Sequence, residues 1–460
     1  MIRTLLVSAA ILAFASPVVA APPPGLHDEA LEILTTGIGF RTVNPGDQMV
    51  PYAEYLKSVL VKAGYRPEDI RIQPMAGTAA LIARYPGTDP KKKPIIVLGH
   101  MDVVEAKRED WERDPFKAVV ENGYVFGRGA EDNKFDVSMA VATLAQLRRE
   151  GWKPGRDVIL ALSGDEETKM VTTQWLANEL KHAEFALNAD GGGGTLDTDG
   201  KPVAYGLQAA EKTYADFTLT ITDPGGHSSA PTPGNPIYRM SNALEKLAAY
   251  RFPAMSNEIT RAAAAAMASK RPGPIGEALK RFSENPEDAQ AIATLSADKD
   301  IAPQLRTTCV ATMISGGHAP NALPQRAQAN VNCRIFPGTP AEEVRKTLEK
   351  VMAEPGLTVA RVTDDGSVDS PASPLRPDVM AAVKKAVNAR YPGLQVTPSM
   401  SSGATDGMHF RAVGVPTYGV AGLFSRNEDS FAHGLNERAP VASIDGSLDH
   451  WRSILKDLAR

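Results

Sequence analysis

Two hydrophobic periodicities alternate along most of the chain. Apolar positions recur at helical spacing over residues 26–37 and again over 50–63, where Gly64 stops the pattern. Short apolar runs follow at 79–85 and 94–98. The second is continuous and bounded by turn residues, as expected of a strand buried on both faces. A helix pattern at 137–150 closes on Gly151, a second buried-strand run spans 157–163, and 172–182 reads as helix before a short strand at 185–188. Strands alternating with helices predict a mostly parallel sheet covered on both faces. Near residue 208 the pattern changes. Residues 214–222 alternate like a half-buried strand, 236–250 is helical, 307–314 and 326–336 are strands, 341–353 is a helix and 357–362 a strand. This β-α-β-β-α-β order is that of a ferredoxin-like unit. An Ala-rich stretch at 257–300 interrupts it and reads as two or three added helices. The first pattern then resumes with a helix at 376–391, strands at 395–400 and 415–421, and a closing helix at 444–458. The expected fold is therefore α/β: a mixed, mostly parallel sheet flanked by helices, built from residues 21–207 and 366–460. An α+β domain over 208–365, with the helical stretch 257–300 inside it, is inserted between those two parts.

Composition narrows the possibilities. Of 460 residues, 43% are hydrophobic and 23% charged, ordinary values for a globular protein with a sizeable core. The net charge of −4 argues against nucleic acid as a partner, which needs clustered Lys and Arg. Lys91, Lys92 and Lys93 read as a solvated turn before a strand. At the N-terminus, Arg3, an apolar stretch over 5–15 and the small residues Val18, Val19 and Ala20 have the layout of a secretory signal peptide covering residues 1–20. An exported protein, periplasmic or secreted, is expected. The apolar stretch is too short to span a membrane, and no other approaches the roughly 20 residues needed. Ala21-Pro22-Pro23-Pro24-Gly25 reads as a short leader.

Chemistry gathers where the strands end. In open α/β sheets, ligands sit at the carboxyl ends of strands. There the sequence places Gly99-His100-Met101-Asp102, Gly164-Asp165-Glu166-Glu167, Ala189-Asp190 and, beyond the last strand, Ala432-His433-Gly434. A polar loop over 127–134, containing Asp132, leads into a helix. Carboxylates crowded into one crevice repel, and bound cations relieve the repulsion. Imidazole mixed with carboxylate favours zinc over magnesium or calcium, with cobalt or manganese as substitutes.

These segments, with 225–228 and 321–324, occur in the order seen in the zinc exopeptidases that include glutamate carboxypeptidase, aminoacylase, carnosinase and succinyl-diaminopimelate desuccinylase, and the chain resembles that family. The resemblance implies two zinc ions per subunit. Asp132 would bridge them, His100 and Asp190 would complete one site, and Glu167 and His433 the other. Asp102 would accept a hydrogen bond from the His100 ring, and Glu166 would be the general base for a zinc-activated water attacking an amide carbonyl. It also implies a homodimer through the inserted domain, which closes as a lid. His227 would then reach the partner's active site and help hold the oxyanion, Asn321 and Arg334 would bind the substrate's carboxylate or a nearby carbonyl, and the backbone N–H groups of the loop at Gly403 would meet that carboxylate. Small peptides and N-acyl amino acids are the implied substrates, so carboxypeptidase, dipeptidase and deacylase activities all stand open. The sequence departs from the family at Phe135-Asp136, where glycines are usual, and at Asn332-Cys333, where many members have an aspartate.

The rival readings are a two-metal phosphoesterase and a binding protein that keeps the fold without turnover. The second should have lost Glu166 or a ligand, and neither is missing. Gly-x-Ser-x-Gly and His-Glu-x-x-His motifs are absent. Individually, His318 and His409 read as ordinary structural residues, and Asp197-Thr198-Asp199-Gly200 as a hairpin tip. Cys309 and Cys333, the only cysteines, fall nearly opposite each other on consecutive strands. A directly cross-strand bond is often strained, which favours two packed thiols there.

Overall fold

A computed structural model describes residues 25–460 apart from 365 and 430, so the expected signal segment 1–20 lies outside the described residues. A ten-stranded mixed sheet forms the body of the molecule. At its centre Val158–Ser163, Ile95–His100 and Phe185–Asn188 run parallel, with every residue buried. Their unbroken apolar sequences follow from that burial, since neither face meets water. Thr417–Gly419 continues the parallel set. Helices Leu26–Gly39, Lys134–Arg149, Pro377–Arg390 and Ser443–Leu458 cover one face around Phe135, Val141, Val383 and Trp451. Val171–Leu180 covers the other through Leu176, Ala177 and Leu180.

The sheet extends further than the apolar pattern foretells. Ile70–Met75 adds an antiparallel edge beside Thr78–Tyr85. Gly193–Leu196 and Pro202–Glu211 form an antiparallel hairpin whose tip is the Asp197 to Gly200 turn. Two glycines and a half-buried setting hide the first of these strands from a hydrophobicity reading.

The inserted unit is a four-stranded antiparallel sheet in the order Thr308–Gly316, Arg326–Ile335, Thr213–Thr222, Thr358–Arg361, which is ferredoxin-like. Helices Pro236–Ala249 and Ala341–Met352 close one face over Phe217, Leu219, Met240, Val331 and Leu348. The Ala-rich stretch forms three helices, Glu258–Ala268, Pro274–Glu284 and Ala289–Ser296, with a small core of their own around Leu279, Phe282 and Leu295. None of their residues joins the core of the four-stranded unit. Glu258–Ala268 instead lies against Val396–Ser401 of the large sheet, and Ile259 enters the main core. Buried Lys212 fixes the junction, donating from Nζ to the carbonyls of Pro303 and Arg306.

The expectation of two free thiols is corrected: Cys309 and Cys333 are disulfide-bonded. The strand register pairs them directly and brings their Cα atoms to 4.1 Å. A directly opposite pair at that separation puts the two sulfurs within bonding reach.

Candidate metal centre

The strand ends bring the expected donors together. His100 is the last residue of its strand, Glu166 and Glu167 lie in the turn after Val158–Ser163, and Asp190 follows Phe185–Asn188. Asp132 comes from the loop before helix Lys134–Arg149, through a cis peptide to Asn133. His433 adopts a left-handed φ of 63° on the loop beyond Phe424–Arg426.

The donor atoms of His100, Asp132 and Asp190 all lie within 4.8 Å of one another, and so do those of Asp132, Glu167 and His433. The two groups share Asp132 alone. One of its oxygens is 2.9 Å from His100 Nε2 and the other 3.2 Å from His433 Nε2, which is in turn 2.9 Å from Glu167. Glu166 falls within the same radius of His100 and Glu167.

The electrostatics are those of a site built around positive charge. Burial pushes Asp190 up to about 8, with the Asp132 charge adding to it. Glu166 is held well above the usual carboxylate range by burial and by the neighbouring acidic groups Asp190, Asp406 and Glu167. Burial also opposes ionisation of Asp132, but its bonds to His100 and His433 outweigh that and hold it low. So many buried acids in mutual contact are stable together only with cations among them. Two imidazoles with three carboxylates make a donor set that suits a pair of divalent transition-type ions.

Asp102 supports the His100 ring and does a second job besides. The His100 ring nitrogen Nδ1 lies 3.1 Å from the main-chain carbonyl of Asp102 and 3.5 Å from its carboxylate. The carboxylate is engaged elsewhere, accepting the backbone N–H groups of Glu166 at 3.1 Å and Glu167 at 3.0 Å. One residue thus orients the His100 ring and clamps the turn that carries the two glutamates.

The departure at Phe135-Asp136 is absorbed by packing. Asp136 accepts the Gly422 N–H at 2.7 Å and the Trp451 indole N–H at 3.0 Å, tying its helix to the closing helix. Lys134 donates to the carbonyls of Gly37 and Phe40 at 2.9 Å each, with its ammonium over the Tyr52 ring.

Sequence reasoning missed Glu437. It is fully buried and accepts from the N–H groups of Gly129, Glu131 and Asp132 at 2.8–3.0 Å, and from Arg128 Nη1 at 2.7 Å. It was missed with Asp406, a buried carboxylate bonded to Ser163 and Thr173 beneath the site. Neither follows an apolar strand run, and no local pattern marks them.

The residues expected on the lid form two groups. Arg334 donates to the Ser402 carbonyl at 2.9 Å, next to Gly403, and stacks over Tyr214. The Gly403 N–H itself donates to Ser401 Oγ. His227 and Asn321 sit on a separate two-stranded ribbon, Gly226–His227 against Ala322–Leu323, joined by a bond from Ser228 N–H to the Asn321 carbonyl. His227 is exposed and bonded to Ser229, and among the described residues no hydrogen bond links it to the five donors.

Among known proteins, the chain is similar to the N-fatty-acyl-amino acid synthase/hydrolase PM20D1 of Mus musculus, 28% identical over 376 residues covering 79% of this chain and 73% of that one. It is also similar to a probable carboxypeptidase S-like protein of Dictyostelium discoideum, 24% identical over 82% of this chain and 74% of that one. Its fold matches that of a metallo-carboxypeptidase from Sulfolobus solfataricus with a TM-score of 0.70, at 21% identity over 94% of this chain and 99% of the other. Residues 96–457 match the model of peptidase family M20/M25/M40. With its fold, its donor groups and its relatives in agreement, the chain belongs to that family and is a metal-dependent amide hydrolase.

Proposed function

We propose that the enzyme cuts the amide bond of small peptides or N-acyl amino acids whose leaving residue bears a free carboxylate. It does so with two zinc ions, one held by His100, Asp132 and Asp190 and the other by Asp132, Glu167 and His433. The observation that carries this reading is the pair of three-donor groups sharing only Asp132. The imidazole and carboxylate mixture favours zinc, with cobalt and manganese able to replace it. Such ions, when bound, supply a water of lowered pKa and a polarised scissile carbonyl.

Glu166 is then the group that moves protons. Its main chain is pinned by Asp102, and its buried carboxylate adjoins both donor groups. It takes a proton from the attacking water and returns it to the leaving amine. Arg334, Asn321 and Gly403 receive the substrate carboxylate. The bond that already joins Arg334 to the loop beside Gly403 supports two of these on one side of the cleft. The names of the mouse and Dictyostelium relatives, an acyl-amino acid hydrolase and a carboxypeptidase, both imply a substrate ending in an amino acid. The protein works as a homodimer through the four-stranded domain, with His227 serving the partner's site, after export directed by residues 1–20 to the periplasm or beyond the cell.

The test is a screen of dipeptides and N-acyl amino acids before and after chelation, with zinc, cobalt or manganese restored. Glu166→Gln should lower kcat by about a hundredfold or more while two metal ions per chain remain by atomic absorption. Near-normal turnover in that variant would remove Glu166 from its role.

A further inference from the structure

The chain leaves the large sheet for the inserted domain at Glu211-Lys212-Thr213, between strands Pro202–Glu211 and Thr213–Thr222. It returns over 366–373, before helix Pro377–Arg390. Backbone joins the two connections, since the Ser373 N–H donates to the Ala209 carbonyl at 2.8 Å. Side chains of the short helix Gly407–Ala412 tie them again. Arg411 is buried there. It donates from Nη2 to the Glu211 carboxylate, from Nε to Ser370 Oγ at 3.2 Å and from Nη1 to the Thr417 carbonyl at 3.3 Å. On the same helix, His409 Nε2 lies 2.9 Å from the Gly366 carbonyl. One guanidinium thus holds the outgoing connection, the returning one and a strand of the large sheet. Glu211 carries the contact inward. Its Oε2 accepts from Thr405 Oγ1 at 3.0 Å and from Gln208 Nε2 at 3.2 Å. Thr405 Oγ1 accepts in turn from Asn188 Nδ2 at 3.1 Å, and Asn188 Oδ1 receives the Asp190 N–H at 3.0 Å. A line of hydrogen bonds therefore runs from both connections of the lid to a metal donor.

We propose that Arg411 and Glu211 are positioning residues: their ion pair is the pivot on which the inserted domain sits, and it sets the angle at which that domain presents Arg334 to a substrate lying over the donor groups. This rests on the reading above, in which Arg334 receives the substrate carboxylate. Stability alone gives no reason for a charged pair at this junction, because apolar residues of equal volume hold a buried junction as well or better. Direction does. A guanidinium presents its donors in a fixed planar fork, so partners on three separate segments fix one another's angles. An ammonium at 411 has no such fork. Lys212, next along the chain, fastens the helical insertion to the same point through the carbonyls of Pro303 and Arg306. The pivot is thus where body, lid and insertion meet, and the Thr405–Asn188 bond refers it to the strand end that carries Asp190.

The experiment is hydrogen exchange read by mass spectrometry on the full chain, with steady-state kinetics on the same samples. In Arg411→Lys and Glu211→Gln, amides over 208–213 and 366–373 should exchange at least about tenfold faster, both together, while strands Ile95–His100 and Val158–Ser163 keep wild-type protection. For an N-acyl amino acid substrate, KM should rise about tenfold or more with a smaller fall in kcat, at wild-type metal content, because the pair acts on binding through Arg334. The double variant Arg411→Met with Glu211→Met leaves no buried charge unpaired, so it tests the pivot where a single variant fails to fold, and it should show the same two changes. Faster exchange in one connection alone overturns the pivot, and so does faster exchange across the central strands as well, since the pair would then be local or general packing. Unchanged KM alongside faster exchange overturns the link to substrate. A double variant with wild-type exchange and wild-type KM overturns both. Failure of the underlying reading looks different: the wild-type enzyme cuts no N-acyl amino acid or dipeptide, while the exchange comparison still decides the pivot.

Discussion

At the scale of single residues, the centre depends on side chains that touch no substrate. Glu437 holds the amides of Gly129, Glu131 and Asp132 together with Arg128, and so fixes the path of the segment that delivers Asp132. Replacing it with Ala strands those donors and the buried guanidinium without a counter-charge. Removing one partner of a buried pair costs about 3–5 kcal/mol, and losing the support of a metal ligand lowers metal affinity by roughly 10- to 100-fold. Glu437→Ala should therefore unfold at lower denaturant and bind zinc more weakly by calorimetry. Full zinc affinity with an unchanged unfolding midpoint would show that the loop holds itself. The contrast with the five donors explains what sequence can display. His100, Glu167 and Asp190 announce themselves because each follows an apolar run at a strand end. Glu437 acts on main-chain amides some 300 positions earlier, and amides leave no trace in the order of side chains. Asp102 lies between these cases: its spacing from His100 was readable, but its grip on the Glu166 and Glu167 amides was not.

At the scale of elements, the central strands were legible because burial on both faces demands unbroken apolar runs. The hairpin of Gly193–Leu196 and Pro202–Glu211 was not, since its first strand is half-buried and begins with glycines. One of these, Gly192 just before it, has a φ of +76°, and a Cβ there would lie 2.3 Å from the Gly419 carbonyl. Conformation and crowding both require glycine at that point, which a hydrophobic pattern records as a gap. The edge strand Thr308–Gly316 illustrates a different limit. Its pairing with Arg326–Ile335 was readable, but not the separation of its cysteines, which decides whether they bond. The disulfide closes a loop with a sequence separation of 24, for which the chain-entropy account gives about 3 kcal/mol of stabilisation. Urea unfolding should shift to lower midpoint by that order when reductant is added. An identical midpoint with and without reductant would mean that the sheet alone fixes the strand.

At the scale of the whole molecule, the proposed role of His227 in the partner's centre requires an exposed lid residue to reach a buried site. His227 is solvent-exposed and has no bond to the donors of its own chain. The same domain ends in an unprotected edge, Thr308–Gly316, which displays Val310, Met313 and Ile314 at 60–71% exposure. An exposed apolar edge strand is a template for pairing with another chain. These two facts fit one arrangement, in which two copies join along that edge and each lends His227 to the other. If the proposed dimer forms along this edge, charging it with Met313→Glu and Ile314→Lys should convert that dimer to monomer by sedimentation velocity and lower kcat, while metal content per chain stays unchanged. The shared site has its own signature. His227→Ala and Glu166→Gln chains, each inactive alone, should regain up to about a quarter of wild-type activity when mixed, because a heterodimer carries one centre with both groups intact. Dissociation without loss of activity, or mixing without rescue, would place the histidine's work within its own chain and require the lid to close much further than the edge strand demands.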